Sequence, residues 1–250
     1  MAGADIRAPG PVAVLLQARL DSSRLPGKAL LPLGGRPLVY RVMEALARIP
    51  ADLYILASPE DCAADFAPLA EEAGFRFCPG PKEDVLGRYC LAIRRFSIGR
   101  VIRATGDNPF VFSAAAGAVN GEALALGADY AAYSCLPYGA GVESVAAEAL
   151  LRAERETSSL PPGRPEREHV CPYLYNHPEL FLLHRPLARR SWRGPSIRIT
   201  VDTGEDYERC RALWGALEEN PGEETSRDEA VIAAWRKLAA TGHPLFKEGG

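Results

Sequence analysis

The apolar positions of this 250-residue chain change their period repeatedly, and each change marks an element. Residues 12–18 form an almost unbroken apolar run, the pattern of a strand buried on both faces of a parallel sheet. After a polar loop, Leu38, Val39, Val42, Leu46 and Ile49 recur at helical spacing. Residues 53–57 read as a second short strand. A helix through Phe66 and Leu69 closes near Gly74, and residues 75–78 give a third strand. Residues 85–96 are helical by period, and 101–104 make a fourth strand. The order β-α-β-α-β-α-β with short links predicts an open, mostly parallel α/β sheet.

The second half is less regular. Residues 114–126 read as an alanine-rich helix, 129–133 as a strand and 137–141 as a glycine-rich turn. Prolines between 161 and 165 interrupt the helical signal, and 197–201 reads as a late strand. Thr203-x-x-Asp206 is a capping box opening a helix with Tyr207, Cys210, Trp214 and Leu217 inside. A last helix runs from about 228 to 240. Residues 1–10 read as a flexible leader, and the absence of repeats or linkers points to one domain over 1–250.

Composition narrows the partners. The chain is 47% hydrophobic and 24% charged, with 29 Lys and Arg against 32 Asp and Glu, a net charge of −3. No basic excess recommends it for nucleic acid or an acidic membrane. No apolar run approaches the ~20 residues of a membrane span, and the start of the chain lacks a secretory pattern, so the expectation is cytoplasmic. Cys62, Cys78, Cys90, Cys135, Cys171 and Cys210 are scattered without a C-x-x-C pair, which fits reduced core residues.

The candidate chemistry begins where the first strand ends. The loop from Gln17 and Ala18 to Lys28 carries Arg19, Arg24 and Lys28, the serines Ser22 and Ser23, and a Pro26-Gly27 turn. Ligands in open α/β sheets bind at the carboxyl ends of strands, and three cations with a row of backbone N–H groups suit a polyphosphate. The loop is neither a P-loop nor a G-x-G-x-x-G turn. A second feature, Asp107, follows the fourth strand beside Gly106, and a third, Asp202, follows the 197–201 run. Taken alone, either aspartate reads as a cap or turn residue. Together they are the one or two carboxylates with which magnesium binds alongside phosphate oxygens.

Five segments carry a resemblance: QARLDSSRLPGK at 17–28, GPKEDVLGRY at 80–89, RATGDNPF at 103–110, EREHVCPYLYNHPE at 166–179 and IRITVDTGEDYE at 197–208. The first resembles the nucleotide-binding loop of the CMP-KDO and acylneuraminate cytidylyltransferases. Together the five resemble the branch of spore coat polysaccharide biosynthesis protein F, in the same order along residues 12–218. The resemblance implies a three-layer α/β/α nucleotide-diphospho-sugar transferase fold around a mixed, mostly parallel sheet. It implies transfer of CMP from CTP to an acceptor with release of pyrophosphate, in surface polysaccharide or glycoconjugate precursor synthesis. Carried over, Arg19, Arg24 and Lys28 would hold the triphosphate, with Lys28 and Arg19 stabilising the leaving charge. Gln17, Ala18 and Ser22 would line the nucleotide, with Ser58 and Gly80 beside the base. Asp107 and Asp202 would hold Mg2+.

On the acceptor side, Arg103, Glu143, Arg167, His169 and Asn176 are the candidates, for a small anionic or sugar-like molecule; relatives are often homodimers. The family pattern G-x-D-x-E is Gly139-Ala-Gly-Val-Glu143 here, with Gly141 where the aspartate is expected. That change admits a different or smaller acceptor. A glycosyltransferase on the same sheet is an alternative, weakened by the absence of a D-x-D pair; a nucleotide-binding protein without turnover is another.

Overall fold

The computed structural model describes residues 10–219 and 227–246, so most of the expected leader lies outside the described residues. The strands are β1 (Val12–Gln17), β2 (Pro32–Leu33), β3 (Arg36–Pro37), β4 (Leu53–Pro59), β5 (Arg76–Gly80), β6 (Arg100–Thr105), β7 (Tyr130–Ala131), β8 (Glu143–Ala146) and β9 (Leu183–His184). The helices are α1 (Leu38–Leu46), α2 (Ala63–Glu72), α3 (Val85–Phe96), α4 (Ser113–Leu126), α5 (Ala147–Glu156), α6 (Pro165–Glu168), α7 (Pro172–Asn176), α8 (Gly204–Glu219) and α9 (Arg227–Ala240).

Seven strands form one sheet in the order β5-β4-β1-β6-β8-β7-β9, and β2-β3 is a separate hairpin. The pairs from β5 to β6 are parallel, whereas β8 runs antiparallel to both β6 and β7. The sheet is therefore mixed and mostly parallel. β1 explains why: Val14 and Leu16 enter one apolar cluster while Ala13 and Leu15 enter another, so both faces are covered. Helices α1, α2 and α4 cover the first face; α3, α5 and α7 cover the second. A third cluster joins Leu33 and Leu38 to α8, α9 and the run Ile197, Ile199 and Val201.

Two expected strands change. Residues 129–133 shrink to the two residues of β7. The 197–201 run is extended and buried at its three apolar positions but joins no sheet strand. It pairs with a loop instead: the Tyr138 amide donates to the Ile197 carbonyl (2.8 Å) and the Ile199 amide to Tyr138 (2.9 Å). Alternation of apolar residues reports burial of one face, and a loop ladder beside a core satisfies it as well as a sheet does. The capping box stands: Asp206 N donates to Thr203 Oγ1 (3.2 Å), and Thr203 N donates to Asp206 Oδ2 (3.1 Å).

The sheet also sets the position of the cleft. From β1 the chain builds outward through β4 to β5, then crosses to the other side of β1 as β6. The carboxyl ends of β1 and β6 flank this reversal, where open α/β sheets leave a crevice. Five of the six cysteines are buried, as small apolar residues would be; Cys135 is exposed. Among the described residues no helix is long and apolar enough to cross a membrane.

Candidate active site

A cleft of about 660 Å³ opens over the ends of β1 and β6. Gln17, Ala18, Arg19, Ser22, Arg24 and Lys28 line one side, from β1 through the following loop. The loop closes on itself, with the Gly27 amide donating to the Leu20 carbonyl (3.0 Å). Gly27 sits at φ +69°, a left-handed conformation that a side chain disfavours, and it turns Lys28 inward. Thr105 to Asn108 form the second side, Thr200 and Asp202 the third.

Lys28 is the junction. Its Nζ lies 3.3 Å from Asp107 Oδ2, 3.2 Å from Asp202 Oδ1 and 2.6 Å from the Val201 carbonyl. Residues 79 and 174 positions apart thus converge on one ammonium. Asp107 is oriented by Thr105 Oγ1, which donates to its Oδ1 at 2.6 Å and itself accepts from Asn108 Nδ2 at 2.8 Å. Asp202 is held by three cations: Lys28 and Arg24 (Nη2, 2.9 Å) on Oδ1, and Arg198 (Nη2, 2.8 Å) on Oδ2.

Arg198 is in turn fixed by Asp206, to whose Oδ1 its Nε donates at 2.8 Å. That hydrogen bond raises the Arg198 pKa, with burial opposing. Asp206 is buried, which opposes ionisation, yet donors from Arg198, Thr203 and Arg209 hold its carboxyl well below the usual range. Asp202 therefore does not cap α8, which the Thr203–Asp206 box closes, and the Asp202 carboxylate faces the cleft.

Arg19 is the least engaged loop cation, 3.8 Å from both Asp21 and Glu168. Gln17 sits at the floor, its Oε1 buried and without a hydrogen-bond partner among the described residues. His169 is exposed on the rim and Arg103 lines the wall, paired with Glu143 beneath it. Burial opposes the Arg103 charge, but the Glu143 carboxylate outweighs it and raises the pKa. Tyr130 donates to the other oxygen of Glu143 at 2.8 Å.

Besides Glu143 below the wall, four predicted residues stand apart from the lining. Ser58 is fully buried and donates to the Ala18 carbonyl (2.9 Å), bracing the β1 end from behind. Gly80 is covered by Arg88, whose Cγ would lie 2.9 Å from a Cβ there, so the glycine makes room for that side chain. Arg167 turns away: it pairs with Asp84, the cap of α3, and donates to the Glu154 carbonyl at 3.3 Å. Asn176 is exposed at the end of α7, off the cleft.

Arg88 itself lines the cleft while only 2% exposed, and the sequence reading passed over it. Its guanidinium donates to the Pro81 carbonyl (2.8 Å), its Nε has no partner among the described residues, and burial lowers its pKa. The available signal was an arginine on the apolar stripe of α3, between Val85 and Tyr89. Thr105 and Asn108 were likewise present in the 103–110 segment without an assigned role.

Asp107 and Asp202 supply hard oxygen donors that already surround a cation, the Lys28 ammonium, so the donor set suits a magnesium ion shared with phosphate oxygens. Among the described residues no group of three or more His, Cys, Asp or Glu side chains gathers as an all-protein metal cage.

The chain is 34% identical over 213 residues to spore coat polysaccharide biosynthesis protein SpsF of Bacillus subtilis, covering 83% of this chain and 88% of that protein. A cytidylyltransferase from Leptospira borgpetersenii superposes with a TM-score of 0.80 at 22% identity, over 96% and 98% of the two chains. A CMP:2-keto-3-deoxy-manno-octonic acid synthetase solved with CTP gives 0.61 at 17%, over 82% and 98%. The family model described as cytidylyltransferase matches residues 13–231, and with the 34% relative this shows that the chain belongs to the cytidylyltransferase family.

Proposed function

We propose that this cytidylyltransferase carries CMP from CTP to a small sugar acid, phosphorylated sugar or polyol, or phosphonate, releasing pyrophosphate. The observation that supports it most is the meeting of Lys28, Arg24, Asp107 and Asp202 at one point of the cleft. The cleft draws on residues from 17–28, 103–108 and 200–202, which supports reading the chain as one nucleotidyltransferase unit.

In this reading Arg19, Arg24 and Lys28 bind the triphosphate, and the floor at Gln17, Ala18 and Arg88 faces the nucleoside. An acceptor oxygen attacks the α-phosphorus in line, and the bond to the pyrophosphate oxygen breaks. Negative charge moves toward the leaving group, where Lys28 and Arg19 offset it inside a partly closed cleft. Asp107 and Asp202 would hold Mg2+, which when bound neutralises phosphate charge. Arg103 and His169, which also line the cleft, orient the acceptor.

The test presents the protein with each of the four nucleoside triphosphates and magnesium. CTP at a hundred times its Kd stabilises the fold by about 2.7 kcal/mol. Pyrophosphate release is then followed with a panel of 2-keto sugar acids, phosphorylated polyols and phosphonates. Stabilisation by another nucleotide alone, or sugar-nucleotide hydrolysis without pyrophosphate, overturns the reading, the latter in favour of a glycosyltransferase.

A further inference from the structure

An ammonium has three N–H donors, and in this structure all three of Lys28 are taken. They go to Asp107, Asp202 and the Val201 carbonyl. Asp202 is equally engaged: Oδ1 receives Lys28 and Arg24, and Oδ2 receives Arg198. Lys28 cannot hold a phosphate without giving up one of these acceptors, and its ammonium competes with a metal ion for the same two carboxylates.

The three cations differ in how firmly they are held. Arg198 is locked by Asp206. Among the described residues Arg24 pairs with no acid other than Asp202, its side chain is 62% exposed, and Lys28 belongs to the same loop. We infer that Lys28 and Arg24 are tethered counter-ions for the acid pair, exchanged onto phosphate when nucleotide arrives. Phosphate binding and release of Asp107 and Asp202 are then one event. The ligand-free protein excludes free divalent metal, and metal and nucleotide enter together. The bond from Lys28 to the Val201 carbonyl does not compete with either step and serves as the pivot.

This inference rests on the phosphate-binding role proposed for the loop, and its test separates the two. Mn2+ binding to the full chain without nucleotide is measured from the electron paramagnetic signal of the free ion. The expected result is weak binding by the native protein and at least tenfold tighter binding by Lys28→Met. Adding Asp202→Asn to that variant abolishes the gain. Arg24→Met, a substitution at an exposed side chain, moves affinity the same way by a few fold and covers the case in which Lys28→Met fails to fold. Unchanged or weaker Mn2+ binding in the folded variants, or tight binding by the native protein, overturns the inference. Native protein that no nucleoside triphosphate stabilises overturns the functional reading instead.

Discussion

Arg103 and Glu143 are register partners at the end of the antiparallel β6–β8 pair, and their side chains join in an ion pair below the cleft wall. The side chains are 13% and 20% exposed, so neither charge is well hydrated without the other. Removing one partner of such a pair costs about 3–5 kcal/mol, whereas replacing both with apolar groups can be nearly neutral. Glu143→Ala therefore lowers the unfolding free energy by about 3 kcal/mol, and Arg103→Met/Glu143→Met regains most of it. Denaturant unfolding measures both. If the double variant recovers stability but not turnover, Arg103 contacts the acceptor; if it recovers both, the pair only supports the wall.

Lys28→Ala separates chemistry from folding. Asp202 keeps Arg24 and Arg198, and Asp107 keeps the Thr105 hydroxyl and partial hydration, so the fold is expected to hold. Turnover falls by about a hundredfold to a thousandfold, the usual effect of removing one stabiliser of developing charge. Pyrophosphate release at the native rate would sink the assignment.

Gly141 tests acceptor choice. A Cβ there would meet only Leu136 Cδ1, at 3.4 Å, an ordinary contact, and the position lines the cleft. Gly141→Asp is accordingly tolerated, with stability within about 0.5 kcal/mol of the parent. It shifts the KM of the acceptor and leaves that of the nucleotide unchanged. A shift in both, or in neither, shows that residue 141 does not face the acceptor.

Arg167 is expected to behave as a structural residue. Its guanidinium bridges the Asp84 cap of α3 to the carbonyl of Glu154 and the hydroxyl of Thr157. Arg167→Ala strands Asp84 and lowers stability by about 2–4 kcal/mol, with KM values unchanged in the protein that remains folded. A raised acceptor KM at unaltered Tm would return Arg167 to the cleft.

The contrast between Arg167 and Lys28 shows how far the sequence reaches. The strands around β1 were legible because burial on both faces leaves an unbroken apolar run, and Lys28, Asp107 and Asp202 because each follows such a run closely. Arg167 was not, since a charged residue at a short helix gives no clue to which side it faces. β8 was missed for a related reason: four residues at the reversal of sheet direction carry too little alternation to stand out. Arg88 was hidden by its neighbours, since one polar residue within a helical run gives no sign of being a buried cation. Adjacent to Gly80, it also accounts for a glycine that the family resemblance would place beside the base.

The last prediction concerns Asp206, which anchors the support behind Asp202. It accepts from Arg198, Arg209, Thr203 and the Asp202 amide, and is 4% exposed. These donors hold its pKa well below the ordinary carboxylate value against the cost of burial. A depressed native pKa means that the unfolded chain takes up this proton first as pH falls. The stabilisation is complete above about pH 4 and drains away below it, by at most about 1.4 kcal/mol per unit of pH. Asp206→Asn lacks the charge at every pH, so it is less stable at pH 7 by about 3 kcal/mol. Its deficit narrows between pH 4 and pH 2 while the other carboxylates titrate alike in both proteins. Urea unfolding of the pair at pH 7, 5 and 3 reads the difference directly. A gap that stays constant down to pH 3 would show that Asp206 is not held ionised by Arg198 and Arg209, and with it the support for Asp202 would fail.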